Sequence, residues 1–202
     1  MGRPPAGLHT IATPVRVLDA AIRAFARSGF EATKLADVAR SASIRRPSLL
    51  YHFPSKEVLY EAVVARIFAE LGAALQPTLS DAASAFPLSL ERLVRTYDSF
   101  LADHPDHARI VLREMLSDEG PGLAILERQV APLLDTVVSF VAATGQEWLR
   151  PTLPIRAATL HVISDVLLRH ASGPLRTTLW RDCTREDPWT VTRHLFLREE
   201  FV

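Results

Sequence analysis

The sequence is poor in cysteine and has no long apolar run. Cys183 is the only cysteine among 202 residues, so neither an intrachain disulfide nor a cysteine-based zinc cluster can form. The opening stretch, MGRPPAGLHTIATP, lacks the apolar region of a secretory signal. The apolar stretch PLLDTVVSFVAATG is interrupted by Asp135, well short of a membrane span. These absences predict a cytoplasmic protein with no membrane partner.

The sequence motifs of catalysis are missing as well. The chain has no glycine-rich loop that would cradle phosphates and no motif that marks a nucleophile elbow, so we predict no enzymatic activity and no cofactor. The stretch DHPDH (103–107) places two acids and two histidines within five residues, which suggests a metal site. More often, such a pattern marks the end of one helix and the start of the next, here with Asp106 as the cap. We therefore predict no metal.

The chain has no net charge, with 23 basic and 23 acidic residues, but the charges are unevenly distributed. Residues 1–56 contain nine lysines and arginines and only three acids, so this part carries +6 and the remainder −6. A basic segment attached to an acidic one is expected when only one part meets an anionic polymer. The charge pattern therefore predicts a nucleic-acid partner for the first quarter.

Helical periodicity dominates, and no segment shows convincing strand alternation. The pattern predicts an all-α fold: a three-helix unit at 1–56, a connecting helix at about 55–75, and a helical bundle at 76–202. Thr13 and Pro14 open the first helix, Gly29 ends it, and Thr33 and Ser55 are expected to cap later helices. Further helices are expected at 34–42, 45–53, 88–103, 106–117, 123–143, 146–150, 155–171 and 188–201, with loops at 76–87 and 176–188.

Two of the predicted helices, 34–42 and 45–53, are joined by a turn of about three residues, which is the helix-turn-helix arrangement. Pro47 is tolerated in the first turn of the second helix because that turn lacks backbone partners anyway. Arg45 and Arg46 lie beside it, where free N–H groups already favour a phosphate. A helix of this size fits the DNA major groove and reads base edges with its N-terminal half.

Residues 17–64 also resemble a known family. The stretch VLDAAIRAFARSGFEATKLADVARSASIRRPSLLYHFPSKEVLYEAVV is similar to the DNA-binding domain of TetR-type transcriptional regulators, through its Ala-rich first helix, Gly29–Phe30, Thr33, His52–Phe53 and Ser55–Glu57. The chain departs from the family pattern at four positions. Ser43 stands where glycine is usual, Arg45 replaces a Ser or Thr cap, and Ala36 and Leu50 replace customary DNA contacts.

The resemblance implies which residues bind DNA. Arg46 and Pro47 are expected to read bases, the proline through thymine methyl groups, and Arg45 is expected near a phosphate. The remaining contacts implied by the resemblance position the protein on phosphates without reading sequence: Thr33, Lys34, Ser48, Tyr51, His52 and Lys56. Arg3, in the N-terminal arm, is expected to be part of a frayed terminus.

The resemblance further implies a homodimer that binds a palindromic operator in double-stranded DNA, most often as a repressor, and releases it when a small molecule enters the C-terminal bundle. The molecule's identity cannot be read from the sequence. Candidate pocket residues are Tyr97, His107, Arg109, Glu114, Trp148, His161 and Asp165. Candidate dimer-interface residues, on the last two long helices, are Leu160, Ile163, Leu167, Leu168, Val191, Leu195 and Phe196.

Two other functions remain open at this stage. An architectural DNA-binding protein without an effector would share the basic N-terminal part but discriminate weakly between sequences. The second alternative is a helical enzyme or ligand carrier with a vestigial N-terminal domain. The departures from the family pattern at Ala36, Ser43 and Leu50 favour it. Salt-dependent DNA binding would separate the two.

Overall fold

The computed structural model describes residues 13–81, 83–116, 121–180 and 187–202, and within these ranges the regular secondary structure is helical. The α-helices are α1 (Thr13–Ala32), α2 (Leu35–Ser41), α3 (Arg46–His52), α4 (Lys56–Leu79), α5 (Phe86–Asp103), α6 (Pro105–Met115), α7 (Pro121–Thr144), α8 (Ile155–Ala171), α9 (Arg176–Leu179) and α10 (Pro188–Phe196). Two 3₁₀ turns, Gly173–Leu175 and Glu199–Phe201, accompany them. The predicted all-α fold is confirmed. Arg3 and Cys183 lie outside the described residues.

The chain divides into two compact units, Met1–Val63 and Val64–Val202. The first unit is built on the apolar stripe of α1, whose residues Val17, Ala21 and Phe25 are buried. The ring of Phe25 meets that of Tyr60 edge-on at 4.8 Å between centroids, a favoured aromatic geometry. Gly29 has φ 77° and ψ 175°, which only glycine adopts readily, so the regular part of α1 ends there as predicted.

The two expected helix caps of this unit have different outcomes. Ser55 Oγ accepts a hydrogen bond from the Val58 N–H at 3.2 Å, so Ser55 caps α4 as predicted. The prediction for Thr33 was wrong: Lys34 occupies the N-cap position of α2. The Thr33 hydroxyl instead donates to the Gly29 carbonyl at 2.6 Å, because the end of α1 leaves that acceptor free nearby.

The second unit is a bundle that contains three clusters of buried apolar residues. Gly145 packs tightly in it: a Cβ here would lie 2.7 Å from Phe86 Cζ. The hydrogen bond between the Arg150 N–H and the Phe196 carbonyl, 2.9 Å, joins the chain after α7 to the end of α10. Asp106 does not cap α6 as expected, since His104 occupies that position and Asp106 pairs with Arg109 at 2.9 Å.

Helix positions agree with the sequence pattern more closely in some places than in others. Helix α8, 155–171, has the predicted bounds. The predicted loop at 76–87 is shorter than expected, because α4 continues through Pro77 to Leu79 and α5 begins at Phe86. The short helix expected at 146–150 is a turn, and the expected loop at 176–188 begins with α9.

Candidate nucleic-acid interface and ligand cavity

Helices α2 and α3 form a helix-turn-helix whose turn is fixed by backbone hydrogen bonds. The Ser43 N–H donates to the Arg40 carbonyl at 3.1 Å, and the Ile44 N–H donates to the Ala39 carbonyl at 3.0 Å. This paired pattern is the Schellman motif, which requires a left-handed residue after the helix. Ser43 fills that position with φ 57°. A serine therefore adopts the conformation that glycine would adopt with less strain.

One face of helix α3 packs against the rest of its unit, and the opposite face is exposed to solvent. Leu49 is fully buried and Phe53 nearly so. The exposed positions comprise most of the predicted DNA contacts: Arg45, Arg46, Pro47, Ser48, Tyr51 and His52. Tyr51 is 83% exposed, which is unusual for an aromatic side chain without a partner surface. No side chain caps the N-terminus of α3 at Arg45, as the sequence indicated.

The other three predicted DNA contacts have different surroundings. Lys34 is exposed next to α2. The Thr33 side chain is buried and its hydroxyl is engaged by Gly29, so the structure does not present it to a phosphate. Lys56 Nζ donates to the Phe30 and Glu31 carbonyls at 2.9 and 3.1 Å and lies 4.3 Å from the Phe30 ring centroid. Lys56 therefore binds the carbonyl end of α1, a role that the sequence pattern did not reveal.

The second unit contains a cavity of about 150 Å³. Its wall comes from α4, α5, α6, α7, α8 and α10 and is almost entirely aliphatic and aromatic. Met115, Leu160 and Ser164 line it and are exposed, so the cavity reaches the surface between α6 and α8. An apolar concave site with few polar groups is the usual form of a small-molecule site.

The structure places one of the seven predicted pocket residues, Tyr97, on the cavity wall. Trp148 packs instead against the core and against Phe201, with 4.5 Å between ring centroids. His161 is exposed, and the Asp165 carboxylate accepts from Arg169 at 2.7 Å. Arg109, His107 and Glu114 also lie outside the wall, Arg109 in its ion pair with Asp106 and the other two buried. These six candidate residues therefore lie away from the wall of this cavity.

Two histidines of this unit are buried. The His170 ring lies 2.8 Å from the Asp98 carboxylate, and this hydrogen bond lowers the pKa of Asp98. Burial, followed by the nearby charge of His104, lowers the pKa of His107 from 6.5 to about 4. The Nδ1 atom of His107 has no hydrogen-bond partner among the described residues. His107 is therefore uncharged at neutral pH.

The predicted dimer residues divide between the surface and the interior of the chain. Leu160, Leu168 and Val191 are about two-fifths exposed, whereas Leu167 and Phe196 are buried within the protomer. Leu195 packs against the core. Four of the seven residues line the cavity: Leu160, Ile163, Leu167 and Phe196. The apolar residues of α8 and α10 thus lie on the cavity wall, in the core and at the surface, so their pattern does not by itself mark an interface.

Among the described residues, no group of three histidine, cysteine or carboxylate side chains is arranged to hold a metal ion. In particular, His104 and His107 of the DHPDH stretch stack on each other with ring centroids 4.8 Å apart. No helix in the described part of the chain is both long and apolar enough to cross a membrane.

Comparison with known proteins agrees with this architecture. Residues 17–63 match the family model for bacterial regulatory proteins of the tetR family. The HTH-type transcriptional regulator RutR of Escherichia coli K12 is 32% identical over 127 residues, 62% of this chain and 58% of RutR. The biofilm operon icaADBC negative regulator IcaR of Staphylococcus aureus strain Newman is 43% identical over 49 residues, 24% of this chain and 26% of IcaR. The chain thus spans less than two thirds of these relatives.

The crystal structure of AibR with isovaleryl coenzyme A and operator DNA superposes with a TM-score of 0.67 and 17% identity, covering 79% of this chain and 86% of AibR. At that identity the likeness establishes the fold alone. Residues 17–63 are thus similar to the bacterial regulatory proteins of the tetR family, and the described part of the chain shares the all-α fold of the solved structures. The family and these relatives are transcriptional regulators and not enzymes.

Proposed function

We propose that this protein is a ligand-responsive transcriptional repressor that binds a palindromic operator as a homodimer in the cytoplasm. The observation that carries the proposal is the exposed face of α3, held by Leu49 and presenting Arg46, Pro47 and Tyr51. A lone recognition helix contacts few bases, and a two-fold dimer places two of them one DNA turn apart.

The roles within α3 follow from chemistry and position. Arg46 and Pro47 lie in its first turn, where side chains reach base edges in the major groove. The exposed hydroxyl, phenol and imidazole of Ser48, Tyr51 and His52 suit phosphate oxygens. Lys34 adds a cation before α2. Lys56 contributes by holding α1 against the start of α4, and its ammonium remains partly exposed.

Ligand response is proposed from the cavity in the second unit. A ligand that binds one conformation of the dimer better than another shifts the population toward it, and operator DNA weakens the ligand to the same extent. Helix α4 has residues in both units and is the segment through which we expect the coupling to pass. The structure of AibR, a protein of the same fold crystallised with isovaleryl coenzyme A and operator DNA, supports this proposal.

The test is a footprint of the purified protein on DNA flanking its own gene at a stated salt concentration. Protection of a discrete inverted repeat is expected. Diffuse protection would favour an architectural DNA-binding protein, and binding without salt dependence would end the DNA-binding proposal.

Variants then assign the contacts. Arg46→Ala is expected to cost about 1–3 kcal/mol on the operator and to relax its sequence preference. Lys34→Ala should weaken all sequences alike and lower the salt slope by about one. Arg113→Ala, an exposed arginine of the second unit, is the matched control and should change neither. Equal losses on operator and random DNA would remove Arg46 from base reading.

A further inference from the structure

Among the residues that the structure describes, none with a carboxylate, ammonium, guanidinium or imidazole group lines the cavity. Of its 22 lining residues, 18 are aliphatic or phenylalanine or methionine side chains, and the other four carry hydroxyl groups. No lysine, arginine, histidine, aspartate or glutamate is among the 22. A charged ligand group would therefore leave water without gaining a partner, and such burial is strongly unfavourable.

The hydroxyl groups are mostly engaged by backbone carbonyls. Thr159 Oγ1 donates to Ile155 at 2.8 Å, and Thr192 Oγ1 donates to Pro188 at 2.7 Å. The Tyr97 hydroxyl donates to Ile163 through a long bond of 3.4 Å, so it retains some capacity for another acceptor. Ser164 lies at the exposed mouth. The interior thus offers a ligand at most one partly free hydroxyl donor, that of Tyr97, whereas the two threonine oxygens can still accept.

The environment of the cavity also disfavours negative charge. Burial raises the pKa of the Tyr97 phenol well above its usual range, because the phenolate would lose its hydration there. The buried polar side chains of α8 do not compensate, since Arg169 pairs with Asp165 and His170 hydrogen-bonds to Asp98, and none of the four lines the cavity.

Size limits the ligand further. The cavity volume is about 150 Å³. An apolar cavity of about 150 Å³ in another protein stays dry when empty and accepts benzene. A monocyclic aromatic hydrocarbon, or a branched aliphatic chain of similar bulk, fills such a space. A larger molecule would have to leave part of itself outside, at Met115 and Leu160.

We infer that the effector of this regulator is an uncharged, mainly hydrocarbon molecule of about the bulk of a substituted benzene. The inference rests on the proposed ligand response and specifies its chemistry. It excludes effectors whose carboxylate, phosphate or ammonium group must enter the cavity. A single hydroxyl or carbonyl group is tolerated when it faces Tyr97.

The test is calorimetric titration of the full-length protein, without DNA, with toluene and with its anionic analogue benzoate. Toluene is expected to bind saturably and at least a hundredfold more tightly than benzoate. Val137→Phe, which places a ring in the cavity, should abolish toluene binding. Val130→Phe, another lining position, provides the same test if the first variant fails to fold. Leu88→Phe, exposed on α5 and outside the wall, is the control and should bind like the wild type.

Benzoate binding as tightly as toluene would overturn the inference, as would absent toluene binding or toluene binding that survives both phenylalanine variants. Operator release is measured separately, by adding saturating toluene to the protein–DNA complex. Toluene binding without any change in DNA affinity would contradict the proposed ligand response while leaving the description of the cavity intact. Operator release by benzoate alone would contradict the ligand class and leave the regulator intact.

Discussion

Among the described residues other than glycine, two hold left-handed backbone conformations that their side chains disfavour. Ser43 has φ 57° at the end of α2. Thr152 has φ 65° and follows Pro151 in a turn closed by the Leu153 N–H and the Arg150 carbonyl at 3.2 Å. Proline followed by a left-handed residue is the arrangement of a type II turn, where glycine is usual. The strain at Thr152 is the more unusual because its side chain is β-branched.

Glycine at these positions is expected to stabilise the protein. Ser43→Gly and Thr152→Gly should each raise the free energy of unfolding by about 1 kcal/mol, because the Cβ clash disappears. Ser41→Gly, at the last residue of α2, and Thr136→Gly, on an exposed face of α7, are the controls and should lose stability by about 0.5–1 kcal/mol. Urea unfolding measures all four, and a loss at both left-handed positions would contradict the argument.

Residue chemistry also predicts how stability depends on pH. The pKa of His107 is about 4 in the folded protein and 6.5 in the unfolded chain. Between these pH values the unfolded chain therefore binds a proton that the folded chain does not bind. The folded state is therefore favoured above pH 6.5 and loses this advantage as pH falls toward 4. The loss amounts to about 2–3 kcal/mol.

His107→Leu should flatten the stability curve between pH 6.5 and 4, whatever its effect on stability at neutral pH. Unfolding by urea at a series of pH values measures the slope. His194→Gln, an exposed histidine of α10, is the matched control and should keep the wild-type slope. An unchanged slope in the His107 variant would show that other groups produce the acid sensitivity.

At the scale of elements, the junction between the end of α1 and the start of α4 depends on one side chain. Lys56 donates charge-assisted hydrogen bonds to the Phe30 and Glu31 carbonyls near the end of α1, and it covers the Phe30 ring. Such bonds are stronger than neutral ones, and the bond to Phe30 is partly buried.

Lys56→Ala is accordingly expected to lower the free energy of unfolding of the N-terminal unit by about 1–3 kcal/mol. Lys34→Ala removes an equal charge from an exposed position and should leave stability unchanged within about 0.5 kcal/mol. Hydrogen exchange of α1 amides reports the difference locally. If both variants were equally stable, the two carbonyl contacts would be energetically unimportant.

Local chemical signals explain which elements could be predicted from the sequence. Gly29 and Ser55 act on their immediate neighbours, so their effects could be read directly. Thr33 had two acceptable hydrogen-bonding partners, and tertiary structure chose the Gly29 carbonyl. Helix α4 continues through Pro77, although proline usually interrupts a helix, because packing of buried residues such as Leu75 outweighs local propensity.

The candidate DNA-binding residues could be predicted from the sequence, whereas the residues of the cavity could not. The contacts of α3 follow from a short continuous segment and could be proposed in full. The cavity could not, because its wall is assembled from six helices. Apolar periodicity on α8 indicates burial without saying against what, so Leu167 was assigned to an interface although it lies in the core. Of the candidate pocket residues, Tyr97 lines this cavity and the other six do not.

At the scale of the whole molecule, the proposed homodimer depends on the apolar residues that remain exposed. Leu160 and Leu168 lie two turns apart on one face of α8, and Val191 is exposed on α10. Side chains of this kind are those that a second copy of the chain would cover.

Leu168→Glu is therefore expected to shift the protein toward the monomer and to weaken operator binding by at least about tenfold, because one half-site then binds alone. Light scattering and a footprint measure the two effects. Leu88→Glu, 59% exposed on α5, is the control and should remain dimeric. A Leu168→Glu protein that stays dimeric would place the interface elsewhere.

The cavity also makes the folded molecule larger than its atoms require. A space of about 150 Å³ corresponds to about 90 mL per mole, comparable with the whole volume decrease of about 20–100 mL per mole seen when proteins unfold. Hydrostatic pressure therefore acts against the empty form of the second unit. A molecule that fills the space removes this sensitivity, so the ligated protein withstands compression that unfolds the free one.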